Sequence, residues 1–516
     1  MKYILSPEFH RNLWLRFSPF SLIAAPVFLG LIAFICLNSG GNNSWERADA
    51  PFGNLANVML IIFFIVINVA GNYEAGTALH DELRTNTWDF QRMSSISAAK
   101  LAFGKLFGAT AYHWYFAFLT LCFFAYGYQN YQVQPRTWDY NTGKAITEAV
   151  TADNSLFVVL IYMVLSGLIG HALAFVSGYY DMISVTARGG ARGKAFKGVN
   201  AFILGLICSS YIFSTITMQS ATHLQRGRYT SDSFVDWLGG HYPAATFIPL
   251  TLLFFFAWFL IGAYRLARTD LMHNQTPVAW LGFVCTSIFW VSGFMYRDGE
   301  LAMRHETGFF GPLLMGFSLM AAVTYFTMLN ESSDFRRYSR FWNYLKQGQT
   351  RRVLENMPKW LSTAPVAIAL YVAFLSYGAN IPVDNTGSVL PDFACLLLAV
   401  MLFMARDGFA VHAIQLGVRK RGAGFVILFY YAIAYVILPL AAFAAMGRDP
   451  DRLLRAIFRE NAAEDLRGVA GFFFPIFTSN PGISVFPGLL QLGIAAGLLY
   501  WLFGKRQKAA ETPKIG

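Results

Sequence analysis

Side chains capable of catalysis or ion coupling are few and scattered in this chain of 516 residues. Asp139 in RTWDYN, and Asp232 and Asp236 in SDSFVDW, lie in loops that the charge pattern below places outside the membrane. Outward carboxylates are what a polytopic transferase acting on a lipid-linked donor uses as base or metal ligand. Here they are interspersed with Arg136, Arg226 and Arg228, the mixture of a solvated loop. His171 and Asp181 form the best polar pair for proton coupling, the signature of an ion-gradient-driven secondary transporter. Ten residues of helix span about 15 Å, so the two do not touch directly, and a hydrogen-bonded structural histidine is the plainer reading.

Nucleotide chemistry finds no support. The nearest phosphate-loop candidate, GGARGKAFKG at 189–198, has Arg188 where the first glycine belongs and Ala195 where a Ser or Thr would hold magnesium. Arg188, Arg192, Lys194 and Lys197 read instead as topology or anionic-lipid determinants. The nine histidines show no HExxH or paired ligand spacing. Cys36, Cys122, Cys208, Cys285 and Cys395 all fall in apolar runs without a CxxC pair and read as packing residues. The expectation is no catalytic, cofactor or metal site in this chain.

The elements that must position any site are membrane helices. The chain is 55% hydrophobic, 17% aromatic and 13% charged, against about a quarter charged in soluble proteins. Repeated apolar runs match the roughly 20 residues that cross a bilayer core, and their continuity predicts an all-α polytopic bundle rather than a barrel. Twelve spans are expected: 20–37, 55–72, 106–127, 155–177, 198–217, 244–266, 278–295, 309–329, 361–380, 391–405, 424–446 and 483–503. The tenth is short; 15 residues rise only about 22 Å, which suggests a tilted or re-entrant segment.

With the N-terminus inside, 28 of the 40 Lys and Arg residues fall on the inner side. The positive-inside rule therefore places both termini in the cytoplasm, and the pI of about 9.3 reports orientation rather than nucleic-acid binding. The N-terminal segment carries no cleavable signal pattern; it reads as an interfacial helix with Leu13, Trp14, Leu15 and Phe17 toward lipid and Arg11 and Arg16 toward headgroups. The outer loop 447–482 includes DPDRLLRAIFRENAAEDL, with helical spacing in Leu453, Leu454, Ile457 and Phe458.

Two stretches repeat. SPFSLIAAPVFLGL at 18–31 and MPKWLSTAPVAIAL at 357–370 agree without a gap at six positions, including Pro19 with Pro358 and Pro26 with Pro365. Each follows a charged amphipathic stretch, so a degenerate internal repeat is expected. The chain then divides into a six-span unit with its interfacial helix (1–270), a connecting pair of spans (271–330) and a reduced second unit of about four spans (331–516).

The most patterned polar segment is EAGTALHDELRTNTWDFQRMSSISAAKLAFGKLFGA at 74–109. Glu82 is followed by Thr87, an apolar run from Trp88 through Phe90 to Met93, a small-residue turn from Ser94 and Ser95 through Ile96 to Ser97, and Gly104-Lys105 entering the third span. This order resembles the region after the second span of ABC-2 type permeases, the membrane subunits of a class of ATP-driven exporters. The likeness covers about residues 5–270 by architecture and about 30 residues by motif; the family's turn usually holds Pro, and Asn86 stands where Gly is usual. The resemblance implies a cytoplasmic docking element built from Glu82, Thr87, Trp88, Phe90, Met93, Ser94, Ser95, Ile96 and Lys105. It also implies a separate ATP-binding cassette subunit that carries the ATP, export of an amphipathic or lipid-like solute, and an inner-membrane location. Homodimerisation stays open. In residue terms, Ser94 or Ser95 is expected to cap a short helix, Lys105 to snorkel, and Glu82 to pair with the ATPase, Arg84 or Arg92.

Overall fold

The computed structural model describes residues 7–39, 50–80, 82, 88, 93, 96–130, 136–139, 144–147, 153–187, 199–226, 234–271, 275–294, 296–297, 300–301, 310–330, 335–378, 389–418, 423–438, 441 and 482–511. The described residues are overwhelmingly helical, with three short strand pairs (136–139 with 144–147, 234–237 with 240–243, 296–297 with 300–301). Among the described residues, seven helices are long and apolar enough to cross a membrane, or eight if one bent pair counts as a single span. The protein is therefore a multi-pass, membrane-embedded helical bundle. Four further apolar helices, Ala201–Ser214, Val278–Gly293, Pro312–Met328 and Phe425–Ile437, are shorter.

The chain divides into two compact units: residues 1–235 with 242–275, and residues 236–241 with 276–516. The first begins with α1 (Pro7–Arg16) and α2 (Pro19–Asn38). A capping box starts α2: the Ser18 hydroxyl accepts from the Ser21 amide at 3.1 Å, the Ser21 hydroxyl accepts from the Ser18 amide at 3.0 Å, and Pro19 occupies the first turn. Next, α3 runs without a break as α-helix at Ala50–Phe63, π-helix at Phe64–Gly71 and α-helix at Asn72–Thr77. A 49° bend separates α4 (Ala98–Ala109) from α5 (Ala111–Asn130). Completing the unit are α6 (Asp153–Ala187), α7 (Val199–Arg226) and α8 (Ala244–Asp270). One core cluster centres on Leu55, Met59, Phe63, Ile67 and Phe124; a second joins Trp88, Leu101, Phe175 and Tyr179.

In the second unit, α9 (Val278–Gly293) and α10 (Phe310–Asn330), expected as a connecting pair, share a core with later helices. Then come α11 (Phe335–Lys346), α12 (Thr350–Asn356), α13 (Lys359–Ser362) and α14 (Ala364–Gly378). The last three are α15 (Val389–Gly417), α16 (Ala423–Ala432, continued as π-helix Ile433–Ile437) and α17 (Gly482–Glu511). Val284, Phe317, Met320, Phe374, Leu397 and Met404 form the main core, and α15 packs along α17.

The expected tenth span is corrected. It is not a 15-residue stub ending at 405, because α15 continues through Arg406 and Asp407 to Gly417. The sequence reading stopped at two charges; the fold buries both. The paired prolines also diverge: Pro26 lies inside unbroken α2, whereas Pro365 follows a break at Thr363 between α13 and α14. The outer stretch 449–466 and the basic cluster 188–197 lie outside the described residues.

Candidate functional site

In the first unit, charges gather where α1 lies on α4. Lys105 is 2% exposed, and its Nζ donates to Glu8 Oε1 at 3.0 Å and to Glu82. Arg11 bridges the same two carboxylates, at 2.8 Å from Glu8 Oε1, and Arg16 pairs with Glu74 on α3. Three acids thus face three bases. Asn12 fixes Glu8 further, donating to its backbone carbonyl at 3.0 Å and to Oε1 at 3.2 Å. Lys105 also sits 5.0 Å from the centre of the Trp88 ring, which meets Tyr179 of α6 edge-on at 5.9 Å. Burying ions costs several kcal/mol each, recovered only with close partners and satisfied hydrogen bonds; this lattice supplies both.

Lys105 does not snorkel: it is enclosed by two carboxylates and an indole. Glu82 is taken up by Lys105 and Arg11 of this chain, and Arg84 and Arg92 lie outside the described residues. Trp88 is 3% exposed and supports the segment from within; Ile96 packs partly buried beside it. Met93, at 79% exposure, is open to a partner. Thr87, Phe90, Ser94 and Ser95 lie outside the described residues. The cap of α4 is Ser97, whose hydroxyl accepts from the Lys100 amide at 3.5 Å. Arg11 and Arg16, expected to face headgroups, hold carboxylates of this chain, while Trp14 and Leu15 stay 87% and 68% exposed.

His171, on α6, packs against the π-helical part of α3. Its Nε2–H donates to the Ile67 carbonyl at 3.0 Å, and the Trp114 ring meets it edge-on at 5.4 Å. Gly71 makes the room: a Cβ there would stand 2.2 Å from Nε2. Nearby, Asn72 Nδ2 donates to the Asn68 carbonyl at 2.7 Å and to Ser209 Oγ at 2.8 Å. The hydrogen bond of His171 thus goes to backbone and not to Asp181. Asp236 accepts from His241 Nδ1 at 2.5 Å on an exposed hairpin, Asp139 lies on a short strand, and Asp232 is outside the described residues. Among the described residues, no three His, Cys, Asp or Glu side chains gather as a metal site.

The second unit holds a site that the sequence reading did not find. Arg406 and Asp407, 5% and 0% exposed, sit at the middle of the 24-residue apolar stretch Ala394–Gly417. Asp407 Oδ1 accepts from Arg406 Nε at 2.8 Å and from Tyr430 at 2.7 Å, and lies 2.7 Å from Arg406 Nη2 in the ion pair. Its Oδ2 accepts from Tyr325 at 2.9 Å and Tyr435 at 2.5 Å. The guanidinium also donates to Gln491 Oε1 at 2.5 Å and to the Tyr435 hydroxyl at 2.6 Å, and lies 4.6 Å from the Phe403 ring centre. Four helices, α10, α15, α16 and α17, are tied at one ion pair whose net charge is zero.

The π-turn in α16 explains how two tyrosines of one helix reach one carboxylate. Residues five apart stand about 140° apart around an α-helix, but an i→i+5 turn brings them toward one face. Tyr430 and Tyr435 have that spacing across Ile433–Ile437. The readable signal was ARDG inside an apolar run that resumes as FAVHAIQLG: an ionisable pair in a span marks a site by default. Comparison with protein-family models, curated proteins and solved structures finds no match for the chain.

Proposed function

We propose that the chain is the membrane-spanning permease subunit of an ATP-driven exporter of the ABC-2 type, working with a separate ATP-binding subunit in the inner membrane. The observation that supports this reading best is the lattice of Glu8, Arg11, Glu82 and Lys105. It joins the entry helix α1, the loop after α3 and the helix leading into α5 into one body. Such a body can pass a push from outside the bilayer to several spans at once, which ATP-driven switching of access requires. In this reading Met93 meets the ATPase, Trp88 and Lys105 transmit, and the solute is amphipathic or lipid-like. Counting the four shorter apolar helices with the eight longer ones gives twelve spans, with both termini cytoplasmic.

A second reading, an ion-gradient-driven carrier, is favoured by one observation: a carboxylate, Asp407, buried in mid-span. One experiment separates the two. The tagged chain is recovered from its host in mild detergent, with wild type beside Met93→Glu and Lys105→Met. An ATP-binding subunit recovered with wild type and lost with Met93→Glu supports the permease; Lys105→Met is then expected to keep the subunit and lose stimulated ATP hydrolysis. Absence of any ATP-binding subunit across several detergents, with transport collapsing when the proton gradient is discharged, overturns it in favour of the carrier.

A further inference from the structure

The helical hairpin α11–α12 enters neither site. Between residues 335 and 352 the sequence carries six basic residues and no acidic one. Gly348, at φ +66°, turns the chain between the two helices, a backbone conformation that glycine adopts without strain. On α11, Tyr338 and Phe341 are buried, with Tyr338 5.4 Å from the His412 ring of α15. Trp342 and Leu345, one helical turn from these anchors, remain 43% and 46% exposed. Arg340, Lys346, Arg351 and Arg352 are exposed around them, with Arg352 backed by the Tyr344 ring at 5.4 Å. The only acidic residue in α12, Glu355, pairs with Arg351 at 3.4 Å.

We propose that the α11–α12 hairpin is a binding surface for anionic phospholipid, with headgroup phosphates held by Arg340, Lys346, Arg351 and Arg352 and with Trp342 and Leu345 seated among the acyl chains. A helix that carries an aromatic and aliphatic face beside Arg and Lys lies in the plane of a membrane interface. The hairpin is held by its buried aromatic anchors to a chain that crosses the bilayer, so its apolar residues need not leave the lipid to dock elsewhere. Each basic residue near an anionic surface adds to the attraction, and guanidinium groups pair with phosphate in a two-pronged geometry. Phosphatidylcholine carries a phosphate too, but its choline cancels the charge; the surface therefore selects lipids of net negative charge.

The test uses the purified full chain, with native mass spectrometry of lipids retained after titration with phosphatidylglycerol or phosphatidylcholine of identical acyl chains. Wild type is expected to retain phosphatidylglycerol about tenfold more tightly, a preference that added salt reduces. Replacing Arg340, Lys346, Arg351 and Arg352 by Gln should abolish the preference, and Trp342→Ala with Leu345→Ala should weaken retention of both lipids. Unchanged elution and helicity of the variants confirm that they fold. A preference that survives the fourfold variant, or no preference in wild type, overturns the proposal. So does an acidic protein subunit that copurifies with wild type and is lost from the fourfold variant while lipid retention stays the same. None of these readouts depends on the permease reading.

Discussion

The two units place their buried charges at different points along their own helices. In the first, Glu8, Glu82 and Lys105 gather at the foot of the helices, and the π-turn within the α3 span is lined by neutral groups: Asn68, Asn72, His171 and Ser209. In the second, the foot is aromatic, with His412 stacked on Trp360 at 5.6 Å and tilted against Tyr338 at 5.4 Å, and the charges lie in mid-span. The contrast teaches what each lattice can do. In the first lattice Glu8 and Lys105 are buried but Arg11 is 41% exposed, so one edge of the cluster stays open to solvent. A pair in mid-span has no solvent to fall back on, so it must be complete within the fold: Asp407 accepts four hydrogen bonds on two oxygens, besides its ion-pair contact with Arg406 Nη2.

The largest expected effect comes from breaking the mid-span pair. Arg406→Met leaves Asp407 as an uncompensated buried charge and should cost about 3–5 kcal/mol, read by thermal unfolding in detergent; Arg406→Met with Asp407→Asn together should recover much of that loss. Equal loss in both would show that packing, not charge, governs the site. Next, Lys105→Met should cost about 1.5–3 kcal/mol, less than Arg406→Met because Arg11 still faces both carboxylates. Loosening of α1 should appear with it, as faster proteolysis near residue 16. Within the span, the buried Thr324–Thr363 contact of 2.7 Å is a smaller tie. Thr324→Val should cost about 0.6 kcal/mol, the average for hydrogen bonds between membrane helices. Smallest is Arg11→Gln: its side chain is 41% exposed, and the change should stay within about 0.5 kcal/mol. An Arg11 effect as large as that of Lys105 would erase the distinction between exposed and enclosed members of the lattice.

Much of the fold was legible because bilayer-length apolar runs carry their own signal, as in α2, α6 and α8. What escaped was set by long-range partners. Gly104-Lys105 before an apolar run reads as a snorkelling lysine; only Glu8, 97 residues away, makes it a buried one. Arg406 and Asp407 read as the end of a span because nothing local reveals Tyr325, Tyr435 and Gln491 waiting across three other helices. Ser97 caps α4, while Ser94 and Ser95, expected to cap the short docking helix, lie outside the described residues. The π-turns in α3 and α16 have no residue signature at all: Phe64–Gly71 and Ile433–Ile437 are apolar runs like their neighbours.

The 97-residue separation of Glu8 and Lys105 also orders events during synthesis. The ribosome releases Glu8 long before α4 exists, so α1 is made without Lys105 while α2 and α3 are synthesised. Only when Lys105 emerges on the same side as Glu8 can the carboxylate find its ammonium. The pair therefore closes only on a chain whose intervening helices are threaded as in the fold, because a mis-inserted α3 would leave the two charges apart.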